Sequence, residues 1–429
     1  MPWEQSNEMK ILAVGDMHLG RRPSRLPPAL ADRARELGPA GAWQRTVAAA
    51  LKAKVQAVAL AGDVVEKEDD FFEAYRELAG GVKTLAEAGI DVVGVAGNHD
   101  VKVLPRLAAE IPEFKLLGQG GQWEAWTLPD ETESLTLWGW SFPQAKVLQS
   151  PLPNAPFERR PGLNLGLLHC DRDAGASPYA PVTGADLERA GLDGWLLGHI
   201  HKPDALSAPR PNGYLGSLTG LSRRESGVRG PWLITVERGA LSEMAQLPLA
   251  PLRWERLEVD IEGIAEPADA KSQLIASLRR SDERFTDPNH APEAMALDLR
   301  FTGRTRFGSK ALEEFSQEDR DAIYTGTGDR HYFIEALSAQ TRPEIELAQL
   351  AERNDPPGLL AQRLMWLQES EGHKERDRLV ALARERLTRE AEKPVWSALP
   401  PIDPDPAHWL KEAGHRALDQ LLAQSAETD

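Results

Sequence analysis

The chain has 429 residues, so at about 150 residues per domain it holds two or three folded units. Hydrophobic residues make up 41%, charged residues 27%, and 12 residues are Trp, an apolar content that excludes a wholly disordered or fibrous protein. The formal net charge of −16 repels polyanions from the chain as a whole, so action on nucleic acid would need a local cluster of cations or a partner's basic surface.

The first hundred residues alternate strand and helix. Lys10–Val14 is an apolar run stopping at Gly15-Asp16, Trp43–Lys54 has helical spacing, and Val58–Ala61 is again apolar and stops at Gly62-Asp63. Asp69–Ala88 has the spacing of a helix with Phe72, Tyr75, Leu78, Val82 and Leu85 on one face, and Val92–Ala96 runs into Gly97-Asn98. Strands that are apolar throughout, in a βαβαβ order, predict an α/β fold with helices covering a sheet. Short runs between Phe114 and Trp140 are expected to widen that sheet. Leu163–Leu168 and Trp195–Leu197 end in His169-Cys170 and Gly198-His199, with a capped helix over Thr183–Ala190 between them; Tyr214-Leu215 and Trp232–Val236 close the domain.

Two prolines and weak periodicity over Ala240–Pro251 place a boundary there, so a first domain is expected over 1–240. A small α/β capping domain is expected over 251–350, with a strand at Trp254–Ile261, a helix at Ala268–Arg280 and a strand at Ala294–Phe301. A helical C-terminal region over 355–429 carries Leu359, Leu360, Leu364 and Leu367 on one segment and Trp409, Leu418, Leu421 and Leu422 on another. Prolines between 400 and 406 would free the last helix to reach another chain. One cysteine permits no internal disulfide, Met1–Lys10 lacks an apolar signal core, and no apolar run reaches the roughly 18 residues of a membrane span. A cytoplasmic location without membrane insertion is therefore expected.

The histidines before residue 290 all fall at predicted strand ends, beside Gly and acidic or amide residues: Asp16-Met17-His18, Gly62-Asp63, Gly97-Asn98-His99-Asp100, His169, and Gly198-His199-Ile200-His201. Residues two apart after a strand share a side, and carboxyl ends of strands are where α/β sheets place their sites. Imidazole, carboxylate and amide oxygen suit manganese, iron or zinc. Two Asp, four His and one Asn exceed the needs of one ion, which points to two divalent ions sharing a carboxylate, the geometry that clamps both oxygens of a phosphoryl displacement. Arg223 and Arg224, just past the last closing loop, are either phosphate contacts or a solvated pair.

Together these motifs, over roughly residues 9 to 237, resemble the calcineurin-like metallophosphoesterases. Gly15-Asp16-Met17-His18-Leu19-Gly20 is similar to the SbcD-type DNA repair nucleases. Leu167-Leu168-His169, Pro178-Tyr179-Ala180-Pro181, Gly194 to Lys202 and Tyr214 to Leu218 look closer still to the YhaO-like exonucleases. The resemblance implies a two-sheet metallophosphoesterase fold, a β-sandwich flanked by helices. It implies two divalent metal ions, manganese first with iron or zinc as options: Asp16, His18 and His201 on one, Asn98, His169 and His199 on the other, and Asp63 bridging. His99 would be a catalytic non-ligand that stabilises the transition state or protonates the leaving oxygen. The implied function is a DNA exonuclease or endonuclease of DNA repair, a homodimer joined through helices of the phosphoesterase domain, with an SMC-like coiled-coil ATPase subunit as partner, at the nucleoid if the source is bacterial. A small-molecule or cyclic-nucleotide phosphodiesterase with the same site, and a non-catalytic scaffold subunit, stand as alternatives.

Overall fold

The computed structural model describes residues 8–129, 134–153, 155–326, 329–391 and 405–426. The N-terminal part follows the expected alternation: β1 (Met9–Val14), α1 (Pro39–Ala53), β2 (Ala57–Leu60), α2 (Phe71–Glu87), β3 (Asp91–Gly94), α3 (Leu104–Glu110) and β4 (Phe114–Leu116). Next come β5 (Trp123–Pro129), β6 (Ser134–Trp140), β7 (Leu163–His169), α4 (Gly184–Arg189), β8 (Gly194–Gly198) and β9 (Asn212–Tyr214), and then β10 (Trp232–Glu237) and β11 (Ala240–Gln246). One sheet has the order β11-β10-β1-β2-β3-β4, and a second has β5-β6-β7-β8-β9. Of the strands between Phe114 and Trp140 only β4 joins the first sheet, while β5 and β6 belong to the second, which corrects the expectation that these runs widen one sheet. Ala240–Gln246, expected as an irregular boundary, pairs antiparallel with β10.

Period-two alternation explains why the strands are apolar throughout. Ile11, Ala13, Ala57, Ala59 and Val93 of the first sheet pack with Leu135, Leu137, Leu165, Leu167 and Leu196 of the second, forming the filling of a sandwich. Leu12, Val14, Val58, Leu60 and Val92 point the other way, onto Trp43, Leu78, Val82 and Leu85 of the covering helices. On the outer face of the second sheet, Trp138, Trp195 and Leu197 pack on Leu187 of α4. The fold is thus the two-sheet α/β arrangement flanked by helices. The helix face of α2 needs correcting: Leu78, Val82 and Leu85 are buried with Ala74, whereas Phe72 is 83% exposed and Tyr75 39%.

Further along lie β12 (Leu252–Asp260), α5 (Asp269–Asp282), β13 (Ala294–Thr302), β14 (Arg304–Thr305), α6 (Gln317–Asp321), β15 (Tyr324–Thr325), β16 (His331–Ala339) and β17 (Arg342–Pro343). A third sheet runs β12-β13-β16-β15. Its Leu252, Trp254, Ala294, Ala296 and Phe333 bury against Leu30 and Leu37 of the β1–α1 connection. All three sheets belong to one compact unit, residues 1–303 with 309–340. The other unit, 304–308 with 341–429, holds the β14–β17 pair and α7 (Leu347–Leu350), α8 (Pro356–Gln368), α9 (Lys374–Ala391) and α10 (Pro406–Ala426). Asp355 caps α8 by accepting from the Gly358 N–H at 2.9 Å. Leu364 and Leu367 of α8 and Leu418 of α10 form the core of this unit, so the last helix folds back on its own unit instead of standing free. Trp409 remains half-exposed, and most of the proline stretch, through residue 404, lies outside the described residues. Among the described residues, no helix is long and apolar enough to cross a membrane.

Candidate metal centre

The site residues occupy the turns that leave β1, β2, β3, β7 and β8. Three of these turns are locally unfavourable: His18, Asp63 and His199 have φ of 52°, 48° and 104°, a conformation that side chains with a Cβ adopt rarely and that persists where surroundings enforce it. The enforcing bonds are explicit. The His18 N–H donates to Asp63 O at 2.9 Å, the His99 N–H to Asp63 Oδ1 at 3.0 Å, and the His199 N–H to Asp16 Oδ1 at 2.9 Å. Asp100, fully buried, ties two turns together by accepting from the Val64 N–H at 2.7 Å and the Gly97 N–H at 2.8 Å. Two glycines are needed for the close approach. A Cβ at Gly62 would lie 2.7 Å from His169 Nδ1, and one at Gly97 would strike the Asp63 carboxylate.

The seven residues expected to hold metal are brought together. Donor atoms of Asp16, His18 and His201 lie within 4.8 Å of one another, as do those of Asp63, His169 and His199. Asn98 Oδ1 sits 3.0 Å from His169 Nε2 and 3.1 Å from His199 Nδ1. Asp63 Oδ2 lies between the two groups, 3.4 Å from His169 Nε2 and 3.9 Å from His18 Nε2. His99 stands at the rim, its side chain 42% exposed and its Nδ1 3.0 Å from Glu66 O. A carbonyl only accepts, so Nδ1 carries the hydrogen and Nε2 is left for the solvent side. Arg223 and Arg224 are exposed on a one-turn helix and are not gathered into this cluster.

The same logic fixes which nitrogens face inward. His169 Nδ1 donates to Ala61 O at 3.1 Å, His18 Nδ1 meets Glu66 Oε2 at 2.7 Å, His201 Nδ1 meets Glu225 Oε1 at 3.0 Å, and His199 Nε2 meets Asp171 Oδ1 at 3.3 Å. At His169 and His201 an acceptor engages the Nδ1 side, so in the neutral ring Nε2 is the nitrogen left to face inward. His18 Nε2 and His201 Nε2 consequently face each other at 3.0 Å, and His169 Nε2 faces the oxygens of Asn98 and Asp63. Asp16 Oδ2 is buried with no hydrogen-bond partner among the described residues. Imidazole nitrogens and carboxylate oxygens converging within 4.8 Å of one another, with an orphaned buried carboxylate oxygen, fit a divalent cation in each group.

The electrostatics agree. Burial opposes ionisation of Asp63, but His169 and His18 offset it and hold the carboxyl well below the usual range. Burial likewise lowers His169, yet Asp63 and Asp16 lift it to about 9. Burial, with Asp63 nearby, pushes Asp100 up to about 7. The carboxylates of Asp63, Asp16 and Asp100 thus draw positive charge onto His169, and a bound cation would supply that charge in its place.

Glu66, Asp171 and Glu225 escaped the sequence motifs. Asp171 had a signal, two residues past His169 on the same side; Glu66 lies three past Asp63, and Glu225 has no local signal at all.

Residues 9–203, somewhat less than half of the chain, match the model of the calcineurin-like phosphoesterase family. The chain is 27% identical over 261 residues to the uncharacterized metallophosphoesterase YhaO of Bacillus subtilis, covering 59% of this chain and 64% of YhaO. It is 27% identical over 311 residues to the DNA double-strand break repair protein Mre11 of Aeropyrum pernix, covering 65% of this chain and 71% of that protein. A solved dimetal phosphatase from Danio rerio is 11% identical with a TM-score of 0.36, covering 55% of this chain and 96% of that one.

Proposed function

We propose that this chain is a DNA nuclease of repair that cleaves phosphodiester bonds with two divalent cations, manganese first. The observation that carries the proposal is the inward convergence of seven donors on two adjoining positions with Asp63 between them. Likeness to a protein named for DNA double-strand break repair supports DNA as the substrate. Asp16, His18 and His201 would hold one cation and Asn98, His169 and His199 the other, with Asp63 shared. Such a pair supplies activation of a water nucleophile at neutral pH and neutralisation of charge on the phosphoryl oxygens. His99 would contribute the proton chemistry that this chain itself can provide: its Nδ1–H is fixed on Glu66 O, and its half-exposed ring stands at the rim of the cluster. Asp100 and the strained turns hold the donors in place before substrate arrives.

The exposed Phe72 and Tyr75 on α2 support a homodimer joined through helices of this domain, since a large apolar ring in water is a contact waiting to be covered. Half-exposed Trp409, Leu382 and Leu359 support docking of the C-terminal unit on an SMC-like ATPase, whose basic surface would hold DNA that a chain of charge −16 repels. The test is an assay of purified protein with manganese on linear duplex DNA, single-stranded DNA and a chromogenic phosphodiester. Cleavage of either DNA supports the proposal. Turnover of the small ester alone would assign a small-molecule phosphodiesterase, and no turnover of any substrate would assign a scaffold.

A further inference from the structure

The one-turn helix Arg223–Glu225 drew attention for its arginines, but its third residue is the one that touches the site. Glu225 lies 22 positions beyond the end of the family match at residue 203, and it is mostly buried. Both of its carboxylate oxygens are engaged. Oε1 takes the outward Nδ1–H of His201 at 3.0 Å, and Oε2 accepts the Leu221 N–H at 3.0 Å. The loop that carries it is gripped at both ends by one residue of the third sheet. The Trp254 indole N–H donates to Gly220 O at 2.9 Å, and Trp254 O accepts the Gly227 N–H at 2.9 Å. Trp254 is itself buried, 1% exposed, in the core that joins β12 to the β1–α1 connection.

We infer that Glu225 is a positioning residue for the metal position formed by Asp16, His18 and His201, acting through His201, and that Trp254 clamps the Gly220–Gly227 loop so that the third sheet sets the geometry of that position. The physical reason is the one nitrogen available on each side of a neutral imidazole. A carboxylate on Nδ1 fixes the tautomer, stops rotation of the ring and makes Nε2 a stronger donor. His169 gets the same service from a main-chain carbonyl, Ala61 O, inside the strands that carry the site, so its position needs nothing from the third sheet. The two cation positions therefore differ in what supports them, and among the described residues the hydrogen bonds from the third sheet lead to one of them.

The inference rests on the two-cation assignment above, and one titration separates their failures. Metal-stripped full-length protein is titrated calorimetrically with manganese chloride, and its melting temperature is recorded without metal. Wild type is expected to bind two ions; fewer than two would overturn the two-cation assignment and the inference with it. Glu225→Gln keeps the side-chain volume but has one acceptor for two donors, so either His201 or the Leu221 N–H loses its partner. The expected result is one site weakened about 10- to 100-fold, the scale for losing a ligand's outer hydrogen bond, with the other unchanged. Trp254→Phe keeps the ring in the core but deletes the indole donor to Gly220, and should weaken the same site about threefold, the effect of one neutral hydrogen bond. A Glu225→Gln protein that melts lower but binds both ions as wild type does would make Glu225 a loop brace only and overturn the inference.

Discussion

The segment that carries the site and the C-terminal helical unit obey different rules. Around the strand ends, non-glycine residues at positive φ, a fully buried Asp100 and an orphaned Asp16 oxygen break the ordinary preferences of a folded chain. In the C-terminal unit, Leu364, Leu367 and Leu418 are buried, and no described non-glycine residue has a positive φ. Strain and buried polarity persist only where packing over-determines them, and they gather where chemistry needs fixed geometry. The first region is held for its donors, and the second for its own packing.

Substitutions break this contrast with graded force. The largest effect is expected from Asp63→Asn, which removes the shared carboxylate: phosphodiester hydrolysis should fall by at least about a thousandfold, equivalent to several kcal/mol of charge stabilisation, while circular dichroism stays that of wild type. His99→Ala should reduce turnover about 100-fold with two ions still bound by metal analysis. Loss of an ion in that variant would make His99 a ligand. In the other region, Leu418→Ala should cost the helical unit about 2–4 kcal/mol in urea unfolding, the scale for emptying a packed Leu site. Hydrolysis of a small phosphodiester should not change with it. The smallest effect on folding is expected from Phe72→Gln, within about 0.5 kcal/mol because the ring is exposed. If the proposed homodimer forms through α2, sedimentation should nonetheless show wild type as a dimer and that variant as a monomer.

The same contrast explains what could be read from residues alone. Gly62-Asp63, Gly97-Asn98-His99-Asp100 and Gly198-His199-Ile200-His201 are local patterns, because each donor is placed by the strand that ends beside it. Glu225 reaches His201 across 24 positions and Trp254 holds it from another sheet, so no spacing announces them. The division of strands between two sheets was likewise illegible, since it is decided by which strands pair and not by any local pattern. On α2, Phe72 and Tyr75 fit a helical stripe with Leu78 and Val82, but the sheet is covered through Ala74, whose small side chain lets the helix sit close. The prolines near 400 mark an interruption before α10 without encoding where that helix then packs; Leu418 and Leu364 decide it.

The central claim is that two cations sit side by side, sharing Asp63. Anomalous scattering from crystals soaked in manganese tests it most directly. Two peaks are predicted, one bounded by Asp16, His18, His201 and Asp63 and one by Asp63, Asn98, His169 and His199. A single peak, or peaks that leave Asp63 outside the coordination of either ion, would contradict it.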